Sequence, residues 1–133
     1  RAAKIKIVVI RLRYISNFTD FDAFMYEPDV DLLYSLWEGD IENADIVYTD
    51  TWMSYQVPES ELKKRVKDFK PYQVNSGLMA ISPRALFMHN LPEKLGYEVT
   101  EKVSYGSRSI IFDQAENRLH AQKAIMLKLM NKI

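Results

Sequence analysis

Three short segments concentrate the groups that could do chemistry. Asp50-Thr51-Trp52-Met53-Ser54 offers a carboxylate and two hydroxyls, and His89-Asn90-Leu91-Pro92 offers an imidazole and an amide beside a proline. The run from Asp113 to Arg118 adds two carboxylates, two amides and a guanidinium. This set favours positioning over covalent catalysis: an anionic Asp50 to meet an amino group, hydroxyls at Thr51 and Ser54, and a cationic Arg118 to meet an oxyanion. Each group also has a plainer use. Asp50 and Thr51 suit a turn or cap, and His89 suits a hydrogen-bonded structural histidine. Glu116 with Arg118 suits an exposed ion pair worth about 0–1 kcal/mol, and Trp52 with Met53 suits packing. What separates the two readings is convergence, because three plain accidents would have to fall on one edge of one sheet.

Other chemistries lack their residues. There is no cysteine, hence no disulfide, thiolate nucleophile or zinc–thiolate site. His89 and His120 are the only histidines and have no paired metal-ligand spacing, so no metal site is expected. The first apolar run leads into Arg11-Leu-Arg13 where a dinucleotide fold needs glycines, and no Gly-x-Ser-x-Gly elbow occurs. No cofactor is expected. Basic and acidic side chains balance at 18 each, so no net field draws the chain to nucleic acid or an acidic membrane. Apolar runs such as Ile5 to Ile10 are far short of the roughly 18–20 residues of a membrane span. The opening Arg1-Ala2-Ala3-Lys4, without an initiator methionine or a signal-peptide core, suggests a fragment or a processed product.

The elements that must position these groups read as an α/β fold. Length and composition (133 residues, 47% apolar, 27% charged) fit one soluble globular domain, taken as 1–133. Lys4 to Ile10 is a nearly continuous β-branched run that suits a strand buried on both faces. Ile46 to Thr49, Leu86 to Met88 and Ile110 to Phe112 look like three more strands. Leu32, Leu33, Leu36 and Trp37 recur at helical spacing after Pro28, as Leu62, Val66 and Phe69 do after Pro58. Asn75 is placed to cap a short helix that Pro83 stops, and the longest helix is expected from about Gln114 to Met130. Arg11 to Phe24 reads as a loop or a short helix. Strands alternating with helices imply a doubly wound, mainly parallel sheet with helices on both faces, a Rossmann-like single domain. Such sheets bind ligands outside the carboxyl ends of their strands, where all three polar segments fall.

At this point a family resemblance is visible. Ala44-Asp-Ile-Val-Tyr-Thr-Asp-Thr-Trp-Met-Ser54, Phe69 to Asn75, Phe87-Met-His-Asn-Leu-Pro92, Glu98-Val-Thr100 and Phe112-Asp-Gln-Ala-Glu-Asn-Arg to Lys123 together resemble the carboxyl-terminal half of ornithine carbamoyltransferases. The likeness runs from about residue 44 to the end, with a fainter echo at Tyr26-Glu-Pro-Asp29. It implies an enzyme in which ornithine's side-chain amine attacks carbamoyl phosphate to give citrulline and phosphate. On that resemblance Asp50 and Ser54 would hold the amino-acid end of ornithine. The His89 to Pro92 loop would turn backbone carbonyls toward the reacting amine, with a cis peptide between Leu91 and Pro92. Arg118 would polarise the carbamoyl oxygen.

The sequence departs from the family pattern in ways that carry consequences. Asn90 stands where the family's His-Cys-Leu-Pro loop has cysteine, and Ser54-Tyr55-Gln56 replaces Ser-Met-Gly, putting a bulky Tyr55 where acceptor choice would reside. The Ser-Thr-Arg-Thr phosphate loop, the His-Pro-x-Gln segment and the Asp-Gly-Asn-Asn turn are absent. The resemblance therefore implies the amino-acid-binding half of a carbamoyltransferase, inactive as this chain alone. The competing expectation is a catalytically degenerate homologue acting as a binding or scaffold protein; a third keeps carbamoyl transfer with another amine as acceptor. The expected partners are ornithine or a similar amino acid, and carbamoyl phosphate only with a second domain. A partner chain or a weak homo-oligomer is also expected, with no nucleic acid and no membrane. The compartment implied by the resemblance is cytoplasm or mitochondrial matrix.

Overall fold

A computed structural model describes residues 4–12, 19–35, 37–53 and 58–132. Among the described residues four strands form one sheet: β1 (Ile5–Ile10), β2 (Val30–Ser35), β3 (Ile46–Thr49) and β4 (Leu86–His89), in the order β2-β1-β3-β4. Every pairing is parallel, with Val8 between Leu33 and Val47, and Val47 opposite Phe87. The central strands are apolar on both sides, as a parallel sheet covered on two faces requires. Val8, Ile10, Val47 and Phe87 join a core with Trp52, Phe69, Met79, Val99 and Ile111. Ile7, Val9 and Tyr48 point the other way, toward Phe21, Leu32, Tyr34 and Met88. Complete burial of Val8, Val9, Val47 and Phe87 contributes about 1.5–3 kcal/mol per side chain.

Two sequence expectations need correction. The helix read after Pro28 is a strand: Val30–Ser35 pairs with the whole of β1, from Ile5 opposite Val30 to Ile10 opposite Ser35. Leu32 and Leu33 do have helical spacing to later residues, but β1 offers an open parallel edge. Ladder hydrogen bonds there outweigh a pattern that a short apolar run shares with helices. Helix α1 comes later and is a single turn, Glu38–Ile41, with exposed Trp37 at its N-cap. The fourth strand read at Ile110 to Phe112 is also absent. Ser109 makes only an isolated bridge to Phe87, and Ile111 opens the last helix as its one fully buried residue.

The other helices follow their signals. Glu59–Glu61 forms a 3-10 turn leading into α2 (Leu62–Phe69), whose Lys67 sits in the last turn where the helix dipole favours a cation. The side chain of Asn75 accepts from the N–H groups of Gly77 and Leu78 and so caps α3 (Ser76–Ile81). Replacing Asn75 by alanine should cost about 1 kcal/mol, read as a lowered midpoint in urea with unchanged slope. No change in midpoint would mean that Gly77 and Leu78 find another acceptor. A one-turn α4 (Glu101–Ser104) precedes the longest element, α5 (Ile111–Leu129). In the stretch read as loop or short helix, residues 13–18 lie outside the described part, and Asp22–Tyr26 is a 3-10 turn.

Candidate functional site

The carboxyl edge of the sheet builds the site. Thr49 ends β3 opposite His89 at the end of β4, so Asp50 and Asn90 leave the sheet side by side. Asp50 is almost fully buried, and its Oδ1 accepts the N–H of Thr51 at 2.7 Å. Thr51 folds onto its own turn, its hydroxyl donating to the carbonyl of Met53 at 3.3 Å. Trp52 is core, 5.9 Å edge-on from Phe69 and stacked 6.5 Å from Tyr97, so for Trp52 the packing role is the one observed. Ser54 and Tyr55 lie outside the described residues.

The loop after β4 is held from three sides. The Leu91–Pro92 peptide is cis, as the resemblance implied, and Leu91 has φ of 48°, in the left-handed region. A leucine there costs roughly 1–3 kcal/mol and persists only when neighbours over-determine it. The first restraint is His89, fully buried, whose Nδ1 accepts the N–H of Leu91 at 2.9 Å. With Nδ1 accepting, the neutral ring carries its proton on Nε2, which lies 3.7 Å from the buried carboxyl of Glu98. The second is Gln114 of α5. Its Oε1 accepts the backbone N–H of His89 at 3.1 Å, and its Nε2 donates to the Tyr48 hydroxyl at 3.4 Å. The third is Glu98 itself, which accepts the N–H of Lys94 and so closes the segment that follows Pro92.

Burial sets the protonation states. It pulls His89 down to about 4 and pushes Glu98 up against the backbone N–H donors of Lys94, Glu98 and Trp52, which favour the carboxylate. Burial also raises Tyr48 to about 12, with smaller contributions from the Asp50 and Asp20 charges and an opposing one from the Gln114 hydrogen bond. At neutral pH the loop therefore rests on an uncharged imidazole and an un-ionised phenol.

A two-lobed groove opens over this frame. Its polar lobe, about 550 Å³, is lined by Asp20, His89, Asn90, Leu91, Gln114, Ala115 and Arg118. The other lobe, about 560 Å³, shares Asn90, Leu91, Ala115 and Arg118 and adds Pro92, Glu93, Tyr105 and Phe112. Two of the three sequence segments thus meet in one cavity, with Asp50 beside it on the same sheet edge. Glu116 does not pair with Arg118; it lies 3.5 Å from His120 on its own helix. The Asn90 Oδ1 is buried in the groove wall without a hydrogen-bond partner among the described residues.

Three contributors were not read from the sequence as site residues. Gln114 lies inside a segment rich in polar groups, but nothing local assigns its amide to the backbone of His89. Glu98 sits between Tyr97 and Val99, and a carboxylate with apolar neighbours on both sides is the available signal of a buried one. Asp20 reaches the groove by tertiary placement that no local pattern encodes. Among the described residues no cluster of three or more His, Asp or Glu side chains could hold a metal ion, and no helix is long and apolar enough to cross a membrane.

Comparison with known proteins agrees with this architecture. Residues 28–129 match the family model for the aspartate/ornithine carbamoyltransferase Asp/Orn binding domain. The ornithine carbamoyltransferase of Methanosarcina mazei is 51% identical over 90 residues, which are 67% of this chain and 30% of that protein. That of Paracoccus denitrificans is 55% identical over 87 residues, 65% of this chain and 28% of that protein. The solved structure of ornithine carbamoyltransferase from Pyrococcus furiosus superposes with a TM-score of 0.73 at 29% identity, covering 94% of this chain and 49% of that one. The chain therefore spans under half the length of these relatives, and it belongs to the aspartate/ornithine carbamoyltransferase family, over that family's Asp/Orn binding domain.

Proposed function

We propose that this chain holds the amino-acid acceptor, ornithine or a close analogue, for transfer of a carbamoyl group from carbamoyl phosphate. The observation that carries the reading is the groove at the carboxyl edge of the sheet, where Asn90, Leu91 and Arg118 face a common space beside Asp50. Asp50 and Ser54 take the α-amino end of the ligand, Asp50 through a charge-assisted hydrogen bond. Tyr55 follows Ser54 and governs which amino acid fits. The Leu91 carbonyl and the Asn90 Oδ1, which lacks a partner among the described residues, accept from the side-chain amine and aim its lone pair. That nitrogen attacks the carbonyl carbon of carbamoyl phosphate; the carbon–oxygen bond to phosphate breaks with its electron pair on phosphate, and the amine's proton leaves with it. The Arg118 guanidinium neutralises the oxyanion of the tetrahedral intermediate. His89 and Glu98 act indirectly, by holding Leu91.

None of these residues cradles a phosphate, so the chain alone is expected to make no citrulline from ornithine and carbamoyl phosphate. Turnover clearly above a heat-inactivated control would refute that. Ligand holding is tested separately by NMR titration with L-ornithine at millimolar concentration. Amide shifts confined to residues near Asp50, Asn90 to Pro92 and Gln114 to Arg118, and weakened by Asp50→Asn, are expected. The substitution of Asn90 for the family's cysteine favours a second reading, a homologue that kept the fold and lost the chemistry. An unchanged spectrum throughout the titration would select it.

A further inference from the structure

Among the described residues β4 is an outer strand of the sheet, so the N–H groups it turns away from β3 need acceptors from elsewhere. Phe87 and His89 both donate to that side. Phe87 meets the carbonyl of Arg108 at 2.8 Å, whereas His89 lies beyond that bridge and is met by the side-chain carbonyl of Gln114 at 3.1 Å. A backbone N–H can only donate, which fixes the amide: Oε1 faces His89, and Nε2 faces the Tyr48 hydroxyl 3.4 Å away. Turned over, the amide would set donor against donor at His89. Tyr48 is itself held firmly, its side chain buried in β3 and its ring edge-on to Phe21 at 4.6 Å. Arg118 stands four residues after Gln114 on the same face of α5, and both line the polar lobe with His89, Asn90 and Leu91.

We propose that Tyr48 is a positioning residue for the acceptor site, its hydroxyl holding the Gln114 amide in the one orientation that clamps the start of α5 to the end of β4. The clamp keeps Arg118 in register with Asn90 and Leu91, so that the guanidinium meets the oxyanion while the loop aims the amine. This role rests on the reading of the groove as the acceptor site. Tyr48 lines neither lobe and acts only through Gln114. Replacing it by phenylalanine keeps the ring against Phe21 and removes only the oxygen. The Gln114 amide is then free to swing, and the buried N–H of His89 is bonded for a smaller share of the time.

Amide hydrogen exchange and titration with L-ornithine, both followed by NMR on the 133-residue chain, are the test. Tyr48→Phe should speed exchange at the His89 amide about fivefold, the loss of one neutral hydrogen bond, and leave Val47 and Phe87 unchanged. It should weaken L-ornithine binding by about the same factor. Gln114→Met should speed exchange at His89 more, by about tenfold, and adding Tyr48→Phe to it should change nothing further. Unchanged exchange at His89 in Tyr48→Phe overturns the proposal, as does acceleration spread along all of β4 or losses that add in the double variant. A Tyr48→Phe variant that loses protection at His89 and binds ornithine as tightly as the wild type overturns it too. Absence of ornithine binding by the wild type overturns instead the reading of the groove, and the exchange rates then decide the clamp on their own.

Discussion

Trp52→Ala should lower the unfolding free energy by about 4 kcal/mol, the upper part of the range for truncating a buried aromatic. Trp52 is 1% exposed and wedged between Phe69 and Tyr97. Its backbone carbonyl also accepts from Arg65 of α2 at 3.3 Å. Domains of this size are stable by about 5–15 kcal/mol, so at the lower end of that range the variant keeps only about 1 kcal/mol. Trp52→Phe should cost much less, because the indole Nε1, buried without a partner among the described residues, disappears with the ring it belongs to. Urea denaturation followed by circular dichroism measures both. A loss below about 1 kcal/mol for the alanine variant would mean that Phe69 and Tyr97 close the gap on their own.

The second large effect is on the pH dependence of stability. His89 has its native pKa lowered from 6.5 to about 4, so alone it gives stability that is whole above pH 6.5 and lost as pH falls toward 4. Glu98 has its native pKa raised from 4.5, so alone it gives stability that is whole below pH 4.5 and lost as pH rises through the native value. Between 4.5 and 6.5 the two oppose each other. Above 4.5 the raised Glu98 offsets part of the histidine limb, so the wild type should lose stability less steeply on acidification than His89 alone would dictate. Glu98→Gln keeps an acceptor for the Lys94 N–H and removes the titrating carboxyl, leaving the histidine limb uncovered. Its stability should fall by roughly 3 kcal/mol between pH 6.5 and 4, more steeply than that of the wild type. A flat profile for Glu98→Gln over that interval would show that His89 is not held neutral, and parallel profiles for the two proteins would show that Glu98 is not raised.

What the sequence disclosed was whatever depends on neighbours along the chain. Ile46–Thr49 is a strand within its read limits, α2 follows Pro58 as its spacing says, and Asn75 caps α3 because capping is a three-residue interaction. The strand-end rule brought Asp50, His89 and Asn90 to one sheet edge for a similar reason, since the chain leaves β3 and β4 where their own apolar runs end, whereas Arg118 reaches the groove from α5, whose start reads as a strand in the sequence. Competition between distant partners was not legible. Val30–Ser35 becomes a strand because β1 lies open beside it, and Ile111 opens a helix because the pairing with Phe87 ends at Ile110, whose N–H makes the last bond to the Phe87 carbonyl at 3.0 Å. Glu98 and Asp20 escaped for the same cause, since one depends on a histidine nine residues back and the other on a groove built from later segments.

The sheet order also governs how the molecule must assemble. Since every pairing is parallel, no two strands can zip together through a tight hairpin, and each contact waits for a long loop to close. Ile5 pairs with Val30, Ile7 with Ile46, and Ile46 with Leu86. The centre of the sheet thus holds the earliest of the four strands in the chain, and it is among the last to be enclosed. Until Ile46–Thr49 arrives, an apolar β1 has at most one neighbour, and until Ile111 arrives the floor beneath Phe87 is missing. Refolding should accordingly be slow for a chain of 133 residues, on the millisecond-to-second scale of non-local topologies. Until β3 pairs with it, that same strand leaves the folding chain exposed to aggregation.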